Sequence, residues 1–198
     1  MRKSAELRKA EIVSVVLTLA DRLGPDRVTT GAVATEIGVT QAALFRHFPT
    51  KSALWKTVAE HISSRLGTAW AAALSNSEDP KSRLEALILA QLEQICATPA
   101  MPMLLFSREL NVENPDLRAA FQNRLAAFSG LLTDEVRALQ DAGRFEREVP
   151  AEDIAVLLTS LVQGLAIRWS LGARNFPLRA EGKRLLGVYL RLLDKKGG

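Results

Sequence analysis

Residues 29–54 read TTGAVATEIGVTQAALFRHFPTKSAL, an order of caps, apolar positions and one glycine that predicts two short helices crossing at a tight turn. Thr29 or Thr30 can cap the first helix, because a threonine oxygen accepts from the free N–H groups of a first turn. Val33, Ala34 and Ile37 then give an apolar stripe over about 30–37. Gly38 permits the left-handed backbone of a tight turn. Val39 plugs the angle between the helices, and Thr40 caps a second helix over about 41–48. This is the spacing of a helix-turn-helix, whose second helix enters the major groove with its leading residues at the base edges. The outward positions Thr40, Gln41, Ala42 and Arg46 are small, amide-bearing or cationic, which suits contact with thymine methyls, adenine and guanine. Ala43, Leu44 and Phe48 are expected to face inward, with Phe45 also mainly core.

The charge distribution agrees with that reading. The 198 residues carry 26 Lys and Arg against 22 Asp and Glu, a net charge of +4. Nine of the cations and only five of the anions precede Val58, so the whole excess sits at the end that holds this motif. Such asymmetry suggests one end facing a polyanion and one neutral end. Hydrophobic residues make up 47% and charged residues 24%, which excludes a disordered chain. The single cysteine, Cys96, excludes a scaffold built on internal disulfides.

Outward from the motif, the chain is helical on both sides. Leu7, Ala10, Ile12, Val15, Val16, Leu19, Ala20 and Leu23 trace one stripe that Gly24-Pro25 ends. A longer helix is expected over 51–74. Asp79-Pro80 and Asn114-Pro115 repeat a cap followed by proline, which opens helices over 80–97 and 115–142. Short and long helices are expected over 103–110 and 151–171, and a last one from 178 to about 193, with Lys195 to Gly198 fraying. Strand-like alternation is nearly absent. The expectation is an all-α chain of about nine helices. It divides into an N-terminal three-helix head with the helix-turn-helix, 1–57, and a C-terminal helical domain for ligand binding and dimerisation, 58–198. The most apolar run, 154–171, is interrupted by Thr159, Ser160, Gln163 and Arg168 and is short for a bilayer span of ~20 residues. With no leader pattern at Met1, a cytoplasmic location and no membrane partner are expected.

Thr29, Val33-Ala34, Gly38-Val39-Thr40, Phe45, His47-Phe48 and Lys51 together resemble the signature of the TetR family of bacterial transcriptional regulators. The resemblance covers about residues 6–61. It implies that Thr29 and Thr40 bind phosphate or satisfy helix starts, and that Gln41, Ala42 and Arg46 read or approach bases. It further implies that His47 donates to a phosphate and that Lys51 meets the DNA backbone. One position departs from the pattern: the family usually has Tyr where this chain has Phe45, so Phe45 is expected among the DNA-binding residues but without that hydroxyl contact. A sequence-specific regulator is therefore expected, a repressor on a palindromic double-stranded DNA operator, with no cofactor. The runner-up is a DNA-bound factor whose output is a protein contact, because TetR-like nucleoid-occlusion factors carry a similar run around Ala42-Ala43-Leu44 and Arg46-His47-Phe48-Pro49.

The remaining helices suggest two further surfaces. The 154–171 run is apolar almost all round and needs two burial partners, and the last helix is also wider than one stripe. A homodimer interface is expected at Leu157, Leu161, Gly164, Leu165, Arg168, Leu186, Tyr189 and Leu193. The resemblance implies a pocket for a small, largely apolar effector at Trp70, Leu92, Cys96, Met103, Phe106, Phe121, Leu125, Phe128 and Trp169. An enzyme is not expected. His47 and His61 are the only histidines, Cys96 has no evident base, and no nucleophile-elbow, P-loop or zinc-protease motif occurs, nor any metal-ligand cluster.

Overall fold

A glycine and a proline end the first helix where the sequence places its stop. In the computed structural model, which describes residues 5–193, α1 (Ala5–Leu23) runs into Gly24 at φ 86°, and Pro25–Arg27 form a single 3-10 turn. Nine more helices follow: α2 (Thr30–Ile37), α3 (Gln41–Phe45), α4 (Lys51–Ser75), α5 (Pro80–Ala97), α6 (Met101–Phe106), α7 (Arg108–Glu113), α8 (Pro115–Asp141), α9 (Ala151–Leu171) and α10 (Leu178–Leu193). No β-strand occurs among the described residues. The expected fraying of residues 195–198 lies outside them, as do Arg2 and Lys3 of the N-terminal charge excess.

The expected single helix over 103–110 is two helices. Ser107 is extended at ψ 107°, and its hydroxyl accepts from the Leu110 N–H at 3.1 Å, opening α7. The Asn111 side chain closes the break by donating to the carbonyls of Ser107 at 2.7 Å and Leu104 at 3.0 Å. A serine that caps from within a helical pattern divides it, because its oxygen replaces a backbone acceptor.

The described residues form two compact units. One holds residues up to Ser64 and 98–122; the other holds 65–97 and those from Asn123 onward. Residues 98–122 thus group with the N-terminal helices, whereas the division expected from sequence fell at 57/58. In the first unit Ile12, Val16 and Leu19 of α1, Val33 of α2, Leu44 of α3 and Trp55 and Val58 of α4 are all buried. In the second, α5, α9 and α10 pack on one another. The 21-residue α9 has the length and apolarity of a membrane span. Eight of its residues are buried in this unit, from Ala151 and Ile154 through Leu158, Val162 and Leu165 to Trp169. Its apolarity therefore has a packing cause on one face.

Gly182 of α10 marks the closest approach in that layer. A Cβ there would overlap the Leu92 side chain and lie 3.7 Å from Leu165. Leu92 is fully buried, so it has little room to withdraw. A part-buried ion pair crosses the same unit, with Arg83 Nε donating to Glu135 Oε2 at 2.9 Å.

Candidate nucleic-acid interface

The short helices of the head are set by local hydrogen bonds. Thr29 Oγ1 accepts from the Ala32 N–H at 3.1 Å and starts α2; Thr40 Oγ1 accepts from the Ala43 N–H at 3.2 Å and starts α3. Both threonines thus satisfy helix starts. Between them Gly38 sits at φ 74°, ψ 36°, with its N–H on the Thr35 carbonyl at 3.1 Å and the Val39 N–H on Ala34 at 2.9 Å. This paired arrangement closes the last turn of α2 and needs a left-handed residue, which glycine supplies without strain. α3 itself has only five residues. A helix that short is not stable by propensity. It is held by its cap and by Leu44, which is fully buried, with Phe48 buried just beyond its end.

This packing turns the rest of α3 outward. Thr40, Gln41, Ala42 and Arg46 are exposed, as the sequence reading expects, while His47 and Lys51 are half-buried. Phe45 corrects that reading: it is 39% exposed and not core. The helix ends at Phe45 instead of Phe48, so the aromatic side chain leaves on the outer side. Thr50 is a residue the sequence reading missed. Its hydroxyl accepts from the Ala53 N–H at 3.0 Å and starts α4, directly ahead of Lys51. The signal was present, since a threonine follows Pro49 and precedes an apolar helix.

The structure also shows which charges of the N-terminal excess are available. Arg8 pairs with Glu11 at 2.9 Å, Lys9 with Glu6 at 3.4 Å and Arg22 with Glu36 at 2.9 Å. Asp26 accepts from the Ser107 hydroxyl. Arg27, Arg46, Lys51 and Lys56 have no ion-pair partner among the described residues. Three of these four, Arg46, Lys51 and Lys56, follow α3 in sequence. The anions therefore neutralise cations elsewhere in the unit and leave those of the α3–α4 segment to an outside anion. Cations free in this way are what a phosphate backbone requires.

The residues expected to form a dimer interface separate into two sets. Leu157 is 51% exposed, Gly164 and Arg168 are exposed, and Leu161, Tyr189 and Leu193 are half-buried. Leu165 and Leu186 are buried within their own unit and are core residues, a correction to the sequence reading. On an apolar helix of both faces, sequence cannot say which face the chain itself covers. Val156, Leu171 (75% exposed), Val188 and Leu192 (78% exposed) extend the exposed apolar surface of α9 and α10 instead. A Cβ on Gly164 would meet nothing within 4 Å. Arg168 stands over the Phe176 ring at 4.7 Å and donates to Glu181 at 3.1 Å. Burial pushes the Tyr189 phenol above its ordinary pKa.

The expected pocket residues are divided between the two units. Met103, Phe106 and Phe121 belong to the first, where Phe106 is 48% exposed; the other six belong to the second. There Trp70 and Phe128 stack with ring centres 5.2 Å apart, and Trp70 donates to Gln91 at 3.0 Å. Arg124 lies over the Trp70 ring at 5.7 Å. Trp70, Leu92, Phe128 and Trp169 are buried, while Cys96 and Leu125 are half-buried. Burial, and then Glu93, hold the Cys96 thiol above its usual range. A cleft of about 340 Å³ lies elsewhere in this unit, between Phe145, Glu148, Val149, Ile154 and Leu192. No group of three or more His, Cys, Asp or Glu placed to hold a metal occurs among the described residues.

Comparison with known proteins gives the same picture. Residues 12–58 match the family model for bacterial regulatory proteins, tetR family, and residues 80–194 that for the C-terminal domain of a BetI-type transcriptional repressor. The nucleoid occlusion factor SlmA of Haemophilus influenzae (strain PittGG) is 28% identical over 185 residues, covering 91% of this chain and 82% of that protein. Among solved structures, a transcriptional regulator of Saccharomonospora viridis in complex with choline aligns with a TM-score of 0.82 at 20% identity, over 96% of this chain and 100% of its own. The ketosteroid transcriptional regulator KstR2 of Mycobacterium tuberculosis aligns with a TM-score of 0.78 at 16% identity, over 99% and 98%. At such identities the structural likeness speaks for the fold.

Proposed function

Since this chain belongs to the TetR family, DNA-binding transcriptional regulators that act as dimers, we propose that it represses transcription from a palindromic operator, with α3 of each copy lying in the major groove. The observation that carries this is the exposed end of α3: Gln41, Ala42 and Arg46 outward, with Arg46, Lys51 and Lys56 without an ion-pair partner among the described residues. Arg46 reads a base edge, and Gln41 and Ala42 lie against neighbouring bases. Lys51 and His47 contact phosphates, and the capped starts at Thr29 and Thr40 lie close to the same backbone. Repression, as opposed to activation, is supported by the C-terminal match to a repressor type.

Dimerisation uses the exposed apolar surface of α9 and α10, around Leu157, Leu161, Gly164 and Tyr189 and including Val156 and Leu192. One small head makes too few base contacts to find a site in a genome, and two heads on a palindrome multiply the discrimination. Such a regulator acts where the chromosome is, in the cytoplasm. The test is selection from a random duplex pool. An enriched inverted repeat, with half-sites one helical turn or a multiple of it apart, supports the reading; a folded protein that enriches nothing overturns it.

Release by a small, largely apolar effector completes the proposal. Its support is likeness to a repressor class and to a regulator solved with choline. Trp70 and Phe128 are buried and stacked on one another, so an effector entering between them would select a conformation in which they part. A protein partner as output is the second reading, favoured by the nucleoid occlusion relative that aligns over most of the chain. Ligand-induced loss of operator binding supports the first. Unaltered operator binding, with a protein retained on the DNA-bound dimer, supports the second.

A further inference from the structure

Asp153, Leu157, Ser160, Gly164, Arg168 and Leu171 of α9 are all exposed and recur every three or four residues, so they share one face of the helix. Ile154, Leu158, Val162, Leu165 and Trp169, on the other side, are buried in the chain's own unit. The exposed face has an acid near its start, a base near its end, and apolar or small residues between them.

Both charges can take a partner from outside. Asp153 has no ion-pair partner among the described residues, whereas its neighbour Glu152 is paired with Arg137. Arg168 donates to Glu181 at 3.1 Å, but that carboxylate already receives two bonds of 2.9 Å from Arg184. A guanidinium carries five N–H donors, so Arg168 can meet a second carboxylate without leaving Glu181 unpaired.

The middle of the face is complementary to itself in shape. Leu157 is 51% exposed, and Gly164, seven residues on, is bare: a Cβ there would meet nothing within 4 Å. One is a knob and the other a gap that can receive it. Asp153 lies one turn before Leu157, and Arg168 one turn after Gly164, so both pairs are centred on one point, between Ser160 and Leu161. The Ser160 hydroxyl donates to the Val156 carbonyl at 2.8 Å, so this centre brings no unpaired donor into a contact. Laid parallel on a copy of itself, the face sets acid on acid and base on base. Laid antiparallel, it sets each on its opposite, and a two-fold axis makes every such contact twice.

We propose that α9 packs antiparallel on α9 of a second copy about a two-fold axis between Ser160 and Leu161, with Leu157 seated over the partner's Gly164 and Asp153 paired with the partner's Arg168. This rests on the reading that α9 and α10 carry the dimer surface, and it adds the register of that surface. A slip of one turn either way sets Leu157 against Ser160 or Arg168 and separates the acid from the base.

The test measures self-association of the full-length chain by sedimentation equilibrium, and of mixtures by native mass spectrometry with one copy isotope-labelled. Asp153→Arg alone and Arg168→Glu alone each bring like charges together twice per dimer, and each should weaken the homodimer by about tenfold to a hundredfold. Added salt should strengthen these two homodimers, because it screens repulsion. Mixed together, the two variants should form heterodimers about as tight as wild type, since unlike charges then meet at both ends. That recovery also shows that each variant is folded. The Asp153→Arg, Arg168→Glu double variant should recover as well. If Gly164→Leu gives monomers while both charge variants dimerise like wild type, α9 is the interface but this register is wrong. If the charge variants weaken the dimer and neither the mixture nor the double variant recovers, the two residues do not face each other and the inference falls. A monomeric wild type, or a dimer indifferent to all three substitutions, removes the α9 surface itself.

Discussion

The α2–α3 segment and the α9–α10 pair both offer a surface to something outside the chain, but they are built by opposite means. α3 is five residues long and exists because of its cap, the left-handed Gly38 and the burial of Leu44. What it shows outward mixes polar groups, Thr40, Gln41 and Arg46, with the small Ala42 and the aromatic Phe45. α9 spans 21 residues, is apolar on both faces, and gains its inner burial from α5 and α10. What it shows outward, at Val156, Leu157 and Leu171, is apolar. If α3 reads bases and α9 with α10 holds a second copy, as proposed, the difference teaches where specificity resides: reading bases needs rigid local geometry and polar groups, whereas holding a like copy needs apolar area.

The largest effect is expected where the short helix is anchored. Leu44→Ala should destabilise the head by ~2–5 kcal/mol, because the cavity cannot be refilled by a helix of so few residues. Thermal unfolding should show it as a loss of cooperativity or midpoint, with operator binding lost together. If α3 were held mainly by its cap, Thr40→Ala would be the worse of the two changes.

Two glycines sharpen the comparison within the second region. Gly182→Ala forces a methyl into buried Leu92 and should cost about 1–3 kcal/mol in melting experiments. Gly164→Ala meets open space in the single chain and should gain up to about 1 kcal/mol of helix stability. Gly164→Leu, in contrast, should lower the molecular mass in solution from dimer to monomer; an unchanged mass removes Gly164 from the interface.

Within the head, Arg46→Ala should relax base preference at one position, worth roughly 1–3 kcal/mol, whereas Lys51→Ala should weaken binding to all duplexes and reduce the salt slope by about one. Equal loss across sequences for both variants would erase the distinction between reading and anchoring. The smallest effect is the acid response of the second unit. Arg144, with the Ser82 amide and hydroxyl, holds the Asp79 carboxyl down to about 2, and Arg184, then Arg168, hold Glu181 at about 2. Both lie below the ordinary carboxylate range near ~4, so their stabilisation is present above that pH and is lost as pH falls toward 2. Both side chains are half-buried and reach solvent, so the slope is shallow. Melting midpoints of the Asp79→Asn, Glu181→Gln protein should vary less than wild type between pH 4 and 2.

Local chemistry explains what could be read from the chain without its fold. Gly24-Pro25, Asp79-Pro80 and Asn114-Pro115 stop and start helices through backbone sterics and caps, and α2 and α9 fall on the residues the pattern predicts. The outward residues of α3 were legible because one period of a helix, once Leu44 faces inward, fixes the others. Three things were not. The sides of α9 and α10 that the chain itself covers depend on their packing with each other and with α5, so Leu165 and Leu186, expected at a dimer interface, are core. Phe45 was read as core because nothing local says that α3 stops before Phe48. The ion pairs that leave Arg46 and Lys51 without an ion-pair partner among the described residues join residues on different turns or helices, which no composition reveals.

The central claim is that the outward face of α3 meets base edges in two symmetric copies, and a photo-crosslinking side chain in place of Ala42 tests it most directly. On the duplex enriched by selection, crosslinks should map to a single major-groove base in each half-site, at positions related by the two-fold axis. Crosslinks scattered along the backbone, or confined to one half-site of a symmetric duplex, would contradict it.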